Sequence, residues 1–233
     1  MNSPSNPSGA TYTEQDYSAL ERVLAKHDNV LILSDEIYEH IVFDNFKFVS
    51  FATACPNLRS RTLTVNGVSK AYAMTGWRIG YGAGPEKLIK AMTKVQSQIS
   101  SGACSVAQAA AAAALTGSQQ SVADFKAAFE RRRDLVVAKV KSISGITLDA
   151  PHGAFYAFIG CDELIEATTE AGDKLSDDAA ITEYLLEDAG VAAVPGSAYG
   201  LSPFFRISTA TDDKTLSIAL DRIASSIDKL TFK

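Results

Sequence analysis

The sequence has no apolar run long enough to cross a bilayer as a helix, so no membrane-spanning helix is expected. Cysteine is scarce: three in 233 residues, Cys55, Cys104 and Cys161, with no CxxC pair. Such scattered thiols fit neither a zinc ribbon nor a disulfide framework and read as small buried residues in a reducing compartment. The three histidines (His27, His40, His152) form no ligand pattern with them. Neither sign of charge dominates: 22 Lys and Arg against 27 Asp and Glu give a net charge of −5. That mild acidity offers nothing to nucleic acid or to an anionic membrane. The opening MNSPSNPSG carries neither the apolar core of a secretory signal nor the Arg-rich amphipathic pattern of a transit peptide, and a cytoplasmic location is expected. Internal repeats are absent, and the alanine run near residue 110 is the single biased stretch.

What is present is ordinary globular material. Hydrophobic residues make up 46% and charged residues 21%, enough for a sizeable core in one large or two modest domains. Prolines and a glycine mark SPSNPSG as turn chemistry. Thr13 opens a helix, with Asp16 placed for a capping box and Leu20, Val23 and Leu24 on one face. The apolar run VLIL at 30–33 predicts a strand buried on both faces. Further strands are expected at 63–65 and 79–81, and helices at 86–99 and 105–115. A long helix starting near Ser121, with Asp124 as its cap, runs through FERRRDLVVAKVKSI; its Glu130 to Asp134 run reads as a solvated face with i,i+4 pairs. Beyond it, ITLDAP, GAFYAFI and VAAVPG read as strands and 177–189 and 212–230 as helices. The pattern predicts an α/β first part, 1–120, and a smaller α+β second part, 121–233.

The chemistry concentrates in VNGVSKAYAMTGWRIGYGAGP, residues 65–85. Lys70 follows a strand-like TLTVNG segment, a junction where a lysine can be partly desolvated in favour of the neutral amine. A neutral amine attacks an aldehyde to form a Schiff base. Arg78 lies in a Gly-rich, aromatic setting and can hold a phosphate dianion. A lysine for an aldehyde and an arginine for a phosphate together suggest pyridoxal 5'-phosphate. Gly67 and Ser69 bring an open backbone and a hydroxyl to the same place, whereas Trp77 and Tyr81 read first as core packing.

Asp35 lies just past an apolar strand, where ligands bind in open α/β sheets. A carboxylate there can pair with a protonated pyridine nitrogen, or it can be a turn or cap residue. Tyr38 offers a phenol to an ionised ring oxygen, or simply packs. Asn6 offers an amide to that oxygen, or is turn chemistry. Arg206, inside the strand-like SPFFRIST, is costly unless paired. Its partner is either a substrate carboxylate or a fixed Asp or Glu of the protein.

Six motifs in register, SPSNPSG, LILSDEIYEHIVFD, TVNGVSKAYAMTGWRIGYGAGP, PHGAFYAF, VPGSAYG and FFRIST, resemble the class I/II aminotransferases of fold type I, closest to the bacterial and plastid-type aspartate and prephenate enzymes. The resemblance implies a partial large domain with a mostly parallel sheet, a small C-terminal domain, and a homodimer. Lys70 would bond to the cofactor aldehyde and then move protons, with Asp35 on the pyridine nitrogen. Tyr38 and Asn6 would contact the ring hydroxyl, Ser69 and Arg78 the phosphate, and Arg206 the substrate α-carboxylate, with Asn6 beside it. The implied activity is ping-pong transfer of an amino group between an amino acid, aspartate or glutamate, and a 2-oxo acid. Family members carry a long portion ahead of the NPSG turn, which supplies part of the phosphate loop and of the sheet; this sequence starts at that turn. A catalytically incomplete relative and a fold type I lyase are the alternatives.

Overall fold

The computed structural model describes residues 1–232. They form two compact units, Met1–Ser5 with Ala10–Ala127, and Asn6–Gly9 with the described residues from Ala128 on.

The first unit begins its regular structure with α1 (Glu14–Leu24). Thr13 caps it as the sequence predicts: its side chain accepts from the Asp16 amide, and Asp16 reaches back to the Thr13 amide. Strand β1 (Ile32–Asp35) leads through a turn to the short α2 (Phe51–Ala54), then to β2 (Thr62–Gly67) and β3 (Gly80–Ala83). Helices α3 (Glu86–Ile99), α4 (Ser105–Thr116) and the start of α5 (Gln120–Val140) follow. Strand β1 pairs with β2 in parallel, Ile32 opposite Thr62, and β2 with β3 antiparallel, Gly67 opposite Gly80. The sheet is therefore mixed where mostly parallel strands were expected. Residues 68–79, which join β2 to β3, contain no crossover helix, so β3 returns against its neighbour.

The VLIL run is buried on one face only. Ile32 packs with Tyr17, Phe51, Cys55 and Leu58, while Leu31 and Leu33 are 70% and 51% exposed. In α1 the buried residue is Tyr17, and Val23 faces solvent. Trp77 and Tyr81 are exposed rather than core residues, and Cys104 is exposed while Cys55 and Cys161 are buried.

The second unit takes up α5 from residue 128 and adds β4 (Tyr156–Gly160), α6 (Asp178–Ala189), β5 (Val194–Pro195), β6 (Phe204–Ser208) and α7 (Asp213–Asp228). The strands make an antiparallel sheet in the order β4-β6-β5. Phe205 and Ile207 of β6 face a core shared with Val136 and Val140 of α5, Ile181 and Leu185 of α6, and Leu220, Ile223 and Ile227 of α7. Period-2 alternation then puts Arg206 on the other face of the sheet. The segment ITLDAP makes only an isolated bridge, Thr147 to Gly160, instead of a strand.

Asp124 does not cap α5; it lies inside the helix and accepts from Gln120. Nor is the Glu130 to Asp134 run a uniformly solvated face. Arg133 is buried, its Nη1 donating to the Pro151 carbonyl at 2.9 Å and its Nε to Asp134 at 2.7 Å. Arg131 and Arg132 both reach Asp213 at the start of α7.

Candidate active site

Parallel strands deliver their last residues to the same end of a sheet, and that end gathers the chemistry of the first unit. Asp35 is the last residue of β1, opposite Val65 of β2. Its backbone is held on both sides: the amide donates to the Met1 carbonyl at 2.9 Å, and the carbonyl accepts from Ser3 N at 3.3 Å and Asn2 Nδ2 at 3.1 Å. Its Oδ1 accepts from the Ile37 amide at 3.2 Å, an Asx turn. Tyr38 follows, buried at 4% exposure.

Ser69 and Lys70 lie immediately past β2, half-buried, where the chain leaves the same end of the sheet. The Lys70 carbonyl accepts from Ala73 N at 3.2 Å, and Val68 pairs with Ile79 and Met74. These bonds fold residues 68–79 back on themselves, so that Arg78 stands just before β3. Arg78 adopts the left-handed conformation at φ 55°, and its Nη1 donates to the Thr75 carbonyl at 2.9 Å, with the rest of the guanidinium exposed. Gly67 has no room for a side chain: a Cβ would stand 2.8 Å from the Ile79 carbonyl oxygen. A carboxylate, an amine, a hydroxyl and a guanidinium are thus brought to one edge of a three-stranded sheet.

Beneath this edge lies a carboxyl that the sequence reading passed over. Glu36 is buried at 3% exposure, and its Oε1 accepts from Ser34 Oγ, Ser50 Oγ and Phe51 N at 3.0, 2.9 and 3.1 Å. Burial raises its pKa against those hydrogen bonds. Only the alternation of Ser34 and Glu36 against Leu33 and Asp35 hinted at an inward-facing acid.

The second unit holds Asn6 and Arg206. Arg206 Nη1 donates to Asn6 Oδ1 at 2.7 Å. The guanidinium carbon stands 4.4 Å from the Tyr156 ring centre and 5.4 Å from that of Tyr199. Phe158 stacks on Phe204 at 4.7 Å and meets Tyr199 edge-on, extending the aromatic surface. Arg206 Nε is buried and takes no acceptor, and among the described residues no carboxylate of the protein pairs with this guanidinium. Among the described residues, then, the fixed-acid alternative for Arg206 finds no partner. Tyr156 and Tyr199 were not singled out from sequence, although both lie within the recognised motifs.

The turn that carries Asn6 is itself tied down. Gly9 sits at φ +67°, its carbonyl accepts from the amides of His152 and Gly153, and a Cβ on it would collide with Pro151. Asp178, buried at the start of α6, receives the Ser197 amide at 3.0 Å. Burial pushes its pKa up, and hydrogen bonds from Ser197, Ser202 and Phe204 outweigh that and leave it lowered. Among the described residues no cluster of His, Cys, Asp and Glu could hold a metal ion, and no helix is long and apolar enough to cross a membrane.

Residues 1–223 match the family described as aminotransferase class I and II. The aspartate aminotransferase of Rhizobium meliloti (strain 1021) is 54% identical over 231 residues, covering 99% of this chain and 56% of its own length. The aspartate/prephenate aminotransferase of Cereibacter sphaeroides is 53% identical over 223 residues, with 96% and 56% covered. Among solved structures, the Rhizobium meliloti aspartate aminotransferase superposes with a TM-score of 0.96, covering 99% of this chain and 58% of that one. The aspartate aminotransferase of Thermus thermophilus with maleate gives a TM-score of 0.84 at 39% identity, with 97% and 56% covered. The chain therefore spans a little over half the length of these relatives. On a sequence match that runs through nearly every residue and a superposition that follows it, the chain belongs to the aminotransferase class I and II family, built on the fold type I architecture.

Proposed function

We propose that this chain carries the cofactor lysine and the carboxylate clamp of an aminotransferase that moves an amino group between aspartate or glutamate and a 2-oxo acid. One observation carries the reading: Asp35, Lys70 and Arg78 stand at one end of the β1–β2–β3 sheet. The donor set fits pyridoxal 5'-phosphate, with an amine for its aldehyde, a carboxylate for its ring nitrogen, and a guanidinium with the Ser69 hydroxyl for its phosphate. When bound, that cofactor supplies an electron sink that lowers the barrier to breaking bonds at a substrate α-carbon.

The protein's own part is binding and proton movement. Lys70 Nζ would hold the cofactor through its aldehyde carbon and, once displaced by an incoming substrate amine, would take and return the proton of the substrate α-carbon. Asp35 Oδ2 would pair with the protonated ring nitrogen, while its Oδ1 stays on the Ile37 amide. The Tyr38 phenol would serve the ring oxygen, and the Asn6 side chain orients the Arg206 guanidinium. Arg206 receives the substrate α-carboxylate through its fork, with the buried Nε as one donor and the Tyr156 and Tyr199 rings fixing its plane. The names of relatives that pair aspartate with prephenate, both dicarboxylates, support the dicarboxylate reading. A homodimer in the cytoplasm is the expected setting; the free state of Cys55, Cys104 and Cys161 supports a reducing one.

The span of 56% of its relatives favours a second reading, a chain that binds the cofactor yet cannot turn over by itself. Borohydride trapping followed by peptide mass analysis tests the first step. A pyridoxyl adduct on Lys70, lost in Lys70→Ala, is expected; a protein that stays colourless and takes no adduct defeats the cofactor reading. Amino exchange between aspartate and 2-oxoglutarate then separates the two readings, because only a complete enzyme passes the amino group on.

A further inference from the structure

Glu36 is the most enclosed carboxyl of the first unit's site region, and the mechanism above does not use it. A leucine would fill similar space without desolvating an acid, a substitution that is often neutral or stabilising in protein interiors. What a leucine lacks is an acceptor, and here one oxygen, Oε1, gathers three donors from two places in the chain: Ser34 within β1, and Ser50 with Phe51 fourteen and fifteen residues later.

The position of this knot matters. Asp35 is clamped through its backbone to residues 1–3, so the freedom left to it lies where the chain exits β1. Glu36 closes that exit. Its amide donates to the Val65 carbonyl at 2.9 Å, its own carbonyl accepts from Glu39 N at 2.9 Å, and its side chain is pinned to Ser50 and Phe51 at the start of α2. Side chains alternate along a strand, so a Glu36 held inward forces its neighbour outward. We propose that Glu36 is a positioning residue for Asp35: by anchoring the β1 exit to the start of α2 at Ser50 and Phe51, it fixes the Asx turn at Ile37 and the direction in which the Asp35 carboxylate leaves the sheet. This inference rests on the reading of Asp35 as the ring-nitrogen partner.

The test compares Glu36→Leu, which deletes the acceptor, with Glu36→Gln, which keeps an oxygen in place, and with Leu58→Ala, which loosens the same unit's core away from the β1 exit. In cofactor-free protein, exchange of the Ile37 amide is expected to quicken at least tenfold in Glu36→Leu relative to Leu58→Ala at equal loss of melting temperature. It is expected to stay within threefold of wild type in Glu36→Gln. Pyridoxal phosphate affinity, read by absorbance titration, should fall at least tenfold in Glu36→Leu and recover in Glu36→Gln. An Ile37 amide as slow in Glu36→Leu as in Leu58→Ala overturns the proposal, as does a Glu36→Gln variant that behaves like Glu36→Leu. Should Glu36→Leu not fold, Ser50→Ala removes one donor alone and must quicken Ile37 at least threefold. If wild type takes up no pyridoxal phosphate, the reading of Asp35 fails, while the Ile37 amide still decides what Glu36 holds.

Discussion

Arg206 and Asn6, 200 residues apart in the chain, meet through a hydrogen bond of 2.7 Å from Nη1 to Oδ1. The bond leaves the positive charge of the arginine uncompensated, because a neutral amide orients a guanidinium without neutralising it. The flanking tyrosines act the same way, attracting the cation by their ring faces without neutralising it. A buried Nε with no acceptor completes the arrangement. A site that holds an arginine by everything except an anion is suited to an anion from outside.

Replacing Arg206 tests this directly, with maleate as the probe. Arg206→Leu removes two charge-assisted bonds, each worth about 1.5–3 kcal/mol, so the Kd for maleate should rise by roughly a hundredfold or more. Arg206→Lys keeps the charge and loses the planar fork, and should fall between the two. Calorimetric titration of the three proteins checks the order; equal affinities would remove Arg206 from the site.

Gly9→Ala probes the turn that presents Asn6. The left-handed φ of +67° costs an L-residue about 1–2 kcal/mol, and the added Cβ has Pro151 in its way. A melting temperature lower by roughly 2–8 °C is expected, together with a weaker maleate affinity. An unchanged melting curve would show that the turn yields freely.

The sequence made local features legible and left burial obscure. Thr13 and Asp16 announce a helix start because a capping box needs only residues three apart. Lys70 and Arg78 reach one sheet end because the short connection between β2 and β3 carries both. Leu33 and Arg133 were misread for a common reason. An apolar strand residue is exposed when nothing packs on its face, and an arginine in a charged run is buried when a distant carbonyl, here that of Pro151, receives it. Neither condition is written in the neighbouring residues. Glu36 was missed likewise, since its partners at Ser50 and Phe51 are set by how the chain returns.

Acid sensitivity of the second unit should centre on Asp213. Arg131 Nε and Nη2 reach its carboxylate at 2.7 and 3.2 Å and Arg132 Nε at 2.8 Å, and together they hold its pKa at about 2, below the ordinary 3.8. A carboxyl depressed by folding contributes stability above its unfolded value and loses it as pH falls through its folded one. Asp213→Asn should therefore melt lower than wild type at pH 7, and the gap should close between about pH 4 and pH 2. The pair is solvent-exposed, so the gap should also shrink in high salt. Melting curves at pH 7, 4 and 2, with and without added salt, check both trends; a gap that is constant in pH would assign the effect to packing.

The three thiols should differ sharply in reactivity, since the thiolate is the reacting form. Burial, with Asp178 and Asp162 nearby, pushes Cys161 up to about 12, and burial with Glu21 pushes Cys55 up to about 11. Cys104 is exposed ahead of α4, where the amides of Ala107 and Val106 donate to its sulfur and lower its pKa. At pH 8 a disulfide reagent such as dithionitrobenzoate should modify one thiol quickly in the folded protein and the other two only on unfolding. Cys104→Ala should abolish the fast phase and leave the slow pair untouched. Release of all three at one rate would mean that the cores around Cys55 and Cys161 open as readily as the surface, contradicting the packing described for both units.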